Sequence, residues 1–243
     1  MHESLKMTTA TRTALFLAAF AVLAPAQDTV EITSEPSHHL VFKNDWVRVF
    51  NVLAPAKAST LVHRHNYDYL YVTLGDAAIV NARVGEKSFP VVLNDGEVRF
   101  TQGGFAHAVT NSSERPFHNI TIELLKPSTN ARPCASACEV PIPCPADAQE
   151  KCASARIVLQ SDQWSAISVL MPPGATYSEH APAAHLVVAV SDLDLTQVVH
   201  GRDRVEVRRV VGDVRWVDPV VHSITNAGSM PARFVSLQFK DML

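Results

Sequence analysis

GEVRFTQGGFAHAVTN, residues 96–111, has a near copy further along the chain: GDVRWVDPVVHSITN, residues 212–226. Both run G-[ED]-V-R-[FW], a turn, then H-x3-N. The likeness extends outward. VFKNDWVRVFNVLAPAKAS (41–59) is matched by VLQSDQWSAISVLMPPGAT (158–176). In each a Trp opens a strand, V-L closes it, and a Pro-containing turn leads to a strand bearing a His. Pro55 stands eight residues before His63, and Pro172 eight before His180. Two such matches in the same order point to a duplicated unit.

Each copy reads as short strands with no helical period. Residues 46–54, 59–65, 69–74, 77–84, 97–100, 106–110 and 117–125 are strand-like in the first, and 186–190, 193–199, 204–210 and 232–239 in the second. Ile120, Ile122 and Leu124 alternate with Asn119, Thr121 and Glu123, the period of a half-buried strand. Gly75-Asp76, Asn94-Asp95-Gly96, Gly103-Gly104 and Gly201 mark turns. The expected fold is all-β, a sandwich or small barrel in each half. The composition agrees, with 47% hydrophobic and 19% charged residues in a chain of 243. Lys and Arg total 21 against 24 Asp and Glu. There is no basic surplus to follow a phosphate backbone, so no nucleic-acid partner is expected.

Residues 1–26 read as a secretory signal peptide: Lys6 and Arg12, the apolar run ALFLAAFAVLA, then Ala24-Pro25-Ala26. An exported chain, periplasmic or extracellular, follows, with no membrane contact after cleavage. Export permits disulfides. All four cysteines, Cys134, Cys138, Cys144 and Cys152, lie in a Pro- and Ala-rich stretch between the copies. Two staples in a connector are expected there, and a four-Cys zinc site is the alternative. The division is then a leader 1–26, a first barrel 27–127, a connector 128–153 with at most a short helix over 147–153, and a second barrel 154–243.

Six histidines recur at matching places. His63 and His65, two apart on a strand, project from one face, and His107 follows the Gly103-Gly104 turn. Three imidazoles meeting inside a barrel would bind a divalent metal and leave coordination positions open. Asp68 is the nearby acid. In the second copy His180, His185 and His222 form a weaker set, with Pro182 two positions after His180. His180 then matches His63 or, with the register slipped by two, His65. Glu179 beside it faces away from His180 if the strand is regular. His38 and His39 are expected in solvent, His200 exposed, and His118 in core or pocket. Trp46 and Trp164 read as core anchors at equivalent places, and Arg99 and Arg215 as structural pairs on the barrel wall.

These segments resemble the two motifs of the cupin superfamily. His63-Arg64-His65 supplies H-x-H, Asp68 stands one residue short of the usual acid position, and Tyr69 occupies it. Gly96 to Asn111 matches the second motif, with Gln102 in the place of its Pro. The resemblance implies two tandem double-stranded β-helix (jelly-roll) barrels joined by the Cys/Pro-rich connector. It implies metal ligands at His63, His65, His107 and Asp68, and a divalent transition metal (Mn, Fe, Ni, Cu or Zn). It also implies a small-molecule substrate. Asp68 and Tyr69 are the candidate catalytic groups. Dioxygenase, decarboxylase, isomerase and lyase chemistry all occur on this fold. A non-catalytic ligand-binding or structural cupin is the competing reading, and the chain is expected as a monomer or homodimer.

Overall fold

The computed structural model describes residues 28–144, 151–180 and 183–240, with residues 178–180 described by backbone alone. The expected leader and most of the expected connector helix lie outside these residues, as do the side chains of Glu179, His180 and Pro182.

The first half contains β1 (Val30–Glu31), β2 (His38–Lys43), β3 (Val47–Ala54), β4 (His63–His65), β5 (Tyr69–Leu74), β6 (Ala77–Arg83), β7 (Phe89–Leu93), β8 (Val98–Thr101), β9 (Phe105–Asn111) and β10 (Phe117–Leu124). They form two facing sheets, β1-β4-β9-β6-β7 and β2-β3-β10-β5-β8. The connector contributes β11 (Arg132–Pro133) and β12 (Glu139–Val140). The second half contains β13 (Ser154–Gln160), β14 (Trp164–Met171), β15 (Thr176–His180), β16 (His185–Ala189), β17 (Leu193–Val199), β18 (Arg204–Arg209), β19 (Val214–Val217), β20 (His222–Asn226) and β21 (Ala232–Phe239). Its sheets are β15-β20-β17-β18 and β11-β13-β14-β21-β16-β19, with β12 also on β13. Both halves are jelly-roll barrels. Even the irregularities repeat: β2 bulges against β3 between Leu40 and Phe42, and β13 against β14 between Ile157 and Leu159. The connector docks on β13, and disulfides join Cys134 to Cys138 and Cys144 to Cys152.

The largest apolar core lies between the barrels. Val49, Leu70, Val72, Ile120 and Ile122 of one pack on Trp164, Leu186, Val188, Val235 and Leu237 of the other. Strands β10 and β21 are therefore buried on both faces. The alternation in β10 suggests a half-buried strand, but Asn119, Thr121 and Glu123 are 3, 4 and 0% exposed. Its apolar face meets the second barrel, and its polar face lines the interior of the first. The two Trp are one place out of register, because Trp164 takes the position of Val47 and Trp46 precedes it. Both face the junction, Trp46 against Phe239 and Trp164 against Phe100.

The H-x3-N asparagines are clamps. Asn111 Nδ2 donates to the carbonyls of Ala54, Pro55 and Arg115, and Asn226 Nδ2 to those of Met171 and Met230. Each ties the end of its His-bearing strand to the opposite sheet. This satisfies backbone acceptors that burial would leave unpaired.

Candidate metal centre

Because side chains alternate along a strand, His63 and His65 leave β4 on the same side. β9 runs antiparallel beside it, with His107 directly opposite His63. The three rings converge, with centroids 4.6 Å apart for His63–His107 and 5.2 Å for both His63–His65 and His65–His107. All three are buried.

A fourth imidazole joins them. His39 is exposed as expected, but His38 is buried. It sits opposite Val52 on β3, a position that faces the interior. Its ring centroid is 4.6 Å from that of His63 and 6.2 Å from that of His65. One ligand atom from each of His38, His63 and His65 can be chosen so that all lie within 4.8 Å of one another. A period-two reading of this segment gives no phase, because the bulge in β2 interrupts it. Only pairing with β3 turns His38 inward.

In each of the four rings Nδ1 faces an acceptor. His38 Nδ1 donates to Glu35 Oε2 at 2.6 Å, His63 Nδ1 to the Leu61 carbonyl at 2.9 Å, and His107 Nδ1 to Asn81 Oδ1 at 3.0 Å. His65 Nδ1 stands 3.5 Å from Glu123 Oε1, too long for a good hydrogen bond. His63 Nε2 and His107 Nε2 are buried without a partner. Anchoring one ring nitrogen to leave the other as a lone-pair donor is how proteins orient metal-binding imidazoles. Burial pulls the pKa of His63 down to about 3 and that of His107 to about 2, and neighbouring imidazoles add to both. Burial also lowers His65, against the pull of Glu123. Neutral imidazole is the form a metal requires, so the residues present fit a divalent ion.

Asp68 and Tyr69, the residues at and beside the expected acid position, have different settings. Asp68 is half-buried at the rim, and its Oδ1 accepts the Gly103 N–H at 2.9 Å. That bond draws the loop of the second motif so close that a Cβ at Gly103 would lie 2.3 Å from the Tyr67 carbonyl. Tyr69 stacks on His65, centroids 4.0 Å apart and planes 17° from parallel. Burial raises its hydroxyl pKa above that of an ordinary phenol. The buried carboxylate nearest His65 comes instead from Glu123, paired across β5 and β10 with Tyr69 and held by Arg48 Nε at 2.8 Å. Glu123 is visible in the polar phase of β10, but that phase reads as a solvent face when only one buried side is assumed.

In the second barrel His180 pairs with His222 as His63 pairs with His107, which decides the register. His185 faces Gln238, the position equivalent to Glu123. His185 and His222 are buried. His185 Nδ1 donates to the Ala183 carbonyl at 2.8 Å, and Gln197 Nε2 donates to His222 Nδ1 at 2.7 Å. Both histidines line a cavity of about 670 Å³, whereas the first barrel keeps about 60 Å³ beside its imidazoles. Elsewhere, His118 Nε2 donates to Asn51 Oδ1 at 2.9 Å, and His200 is exposed.

No protein-family model and no curated protein matches the sequence. Solved structures do match the fold. AerE from Microcystis aeruginosa superposes with a TM-score of 0.56 at 11% identity, covering 85% of this chain and 99% of that one. A point mutant of Bacillus subtilis oxalate decarboxylase OxdC gives 0.57 at 16% identity, covering 82% and 70%. A structure of the same enzyme described for its Mn(II) centres gives 0.55 at 16%, with the same coverage. With these neighbours the chain shares a fold of two jelly-roll barrels, at identities that show the fold alone.

Proposed function

We propose that the protein is an exported bicupin whose first barrel holds one divalent transition metal, Mn, Fe, Ni, Cu or Zn, and acts as an enzyme on a small oxygenated substrate. The metal ligands are His63, His65 and His107, with His38 as a fourth, while Asp68 stays in its loop-pinning role. The reading rests on the two buried, unpartnered Nε2 atoms of His63 and His107, whose rings are fixed from behind. The Mn(II) centres of the oxalate decarboxylase neighbour support a metal without naming it. The disulfides are compatible with an oxidising compartment. The working boundaries are a leader to residue 26, barrels at 27–127 and 154–243, and the connector between them.

A bound ion would supply Lewis acidity or redox activation of an oxygen ligand. The chain does the rest. Glu35, Leu61 and Asn81 hold three rings in place. The pocket is lined by Tyr69, Tyr71, Thr101, Asn119 and Thr121. Its small volume admits a substrate of only a few non-hydrogen atoms. Thr121 donates to Asn119 Oδ1 at 2.8 Å, leaving Nδ2 as the donor Asn119 can offer a substrate oxygen. Burial raises Tyr71 to about 12, so both tyrosines stay protonated and are proton donors rather than bases. The alternative, a non-catalytic ligand-binding or structural cupin, is favoured at the second barrel. There Ala155 takes the place of His38, and in the sequence a Pro, not a His, stands two residues after His180.

Elemental analysis of the purified protein tests the reading. One metal per chain is expected, lost in His63→Ala and in His107→Ala. Nitrogen couplings in the electron paramagnetic resonance of a Cu(II)-loaded sample should diminish in His38→Ala. A protein that stays metal-free after reconstitution, with its fold intact, defeats the proposal.

A further inference from the structure

Strand register aligns the two barrels residue by residue, and at several inward positions the second carries a smaller side chain. Val187 stands for Tyr71, Ser165 for Arg48 and Val199 for Arg83. Val187 and Val199 line a cavity of about 670 Å³, a size suited to a drug-sized organic molecule. Its wall away from the histidines is apolar, formed by Val169, Ala189, Leu193, Leu195 and Phe234.

The lining reaches β18 and β19, the edge strands of the two sheets. In the first barrel the matching seam is clasped: Arg99 Nε donates to Glu97 Oε1 at 2.6 Å and Nη2 to the Val92 carbonyl of β7 at 3.1 Å. Arg215 occupies the place of Arg99, lines the cavity, and makes no side-chain hydrogen bond or ion pair among the described residues. Arg202, in the turn after β17, also lines the cavity and is equally uncommitted among them. The acids nearby are engaged. Asp213 accepts the Val210 N–H at 3.1 Å, Asp218 the Trp216 Nε1–H at 3.1 Å, and Glu206 pairs with Arg208 at 3.4 Å. Two guanidiniums with no partner among the described residues thus border an apolar interior.

We propose that the second barrel is a metal-independent binding site for an organic carboxylate with an aliphatic or aromatic body. The body lies on the apolar wall and the carboxylate meets Arg215 and Arg202, since a guanidinium binds a carboxylate through two parallel hydrogen bonds. This site does not depend on the metal of the first barrel.

Calorimetric titration of the full chain with decanoate and 3-phenylpropionate tests it, with octylamine and 1-octanol as controls. Each carboxylate should bind one per chain, about tenfold or more tighter than the controls. Arg215→Gln and Arg202→Gln, both at exposed positions, should each weaken the carboxylates with no change in melting temperature. Val187→Tyr, which restores the bulk of the first barrel, should abolish binding, and His63→Ala should leave it intact. The proposal falls if no carboxylate binds. It falls if the double arginine variant binds them undiminished, or if the alcohol binds as well as the acid. It also falls if the protein carries a second metal equivalent that is lost in His222→Ala.

Discussion

The two barrels share a topology down to a bulge in the same strand, yet their interiors are opposites. The first packs four imidazoles, two buried carboxylates (Glu35 and Glu123) and two tyrosines around about 60 Å³. The second keeps two described histidines in the wall of a space of about 670 Å³ that is apolar on one side and bordered by charged side chains on the other. Positions that carry polar weight in one, His38, Arg48 and Glu123, become Ala155, Ser165 and Gln238 in the other. The shared outer face is what both copies must keep, because it buries the common core. Inward-facing positions are free of that duty, so duplication leaves them open to diverge. One interior suits a cation, and the other an apolar body.

The largest expected separation between the barrels is in acid. In the metal-free protein His63 and His107 stay neutral down to about pH 3 and pH 2, whereas their unfolded counterparts take up protons near their ordinary value of 6.5. The unfolded state therefore binds more protons below that value. Stability is full above about pH 6.5 and falls as pH drops toward about 3. Melting of metal-stripped protein across this range should show the loss, and His63→Asn with His107→Asn should flatten it. Unchanged melting temperatures would mean the cluster is hydrated and no burial penalty operates.

Next is the common face. Leu237→Ala and Ile122→Ala, in different barrels, should each cost about 2–5 kcal/mol in denaturant unfolding, through one shared transition. Two separate transitions would show that the barrels do not depend on each other.

The amide behind each motif histidine sharpens the contrast further. Asn81 backs His107 and Gln197 backs His222 at the same strand position. Asn81→Ala should lower metal affinity about 10- to 100-fold in a competition with a chelator. Gln197→Ala should leave it unchanged.

The smallest effect concerns the seams. Arg99→Gln opens a partly exposed clasp and should cost under about 1 kcal/mol. Arg215→Gln should cost nothing measurable, since that side chain has no partner among the described residues to lose. An equal cost at both would mean that the second seam is also held.

Much of this is legible in the chain itself. The duplication, the strand succession and three of the imidazoles come from spacing alone, because period-two alternation and a glycine turn before His107 leave few ways to arrange them. What escapes is governed by pairing. His38 lies beside a bulge where alternation loses phase. Glu123 lies on a strand whose second face is covered by another barrel, so its polar phase imitates a solvent face. His180 and His222 fall into register only through their cross-strand pair.

The sequence by itself determined two β-barrels, the disulfide-capable connector and a histidine motif in each half, since these follow from local periodicity and short spacings. Tertiary structure alone decided that the barrels pack sheet against sheet, that His38 and Glu123 turn inward beside His65, and that one interior is filled while the other is hollow. The physical reason is that the face a strand buries depends on its neighbours, and those neighbours are distant in the chain.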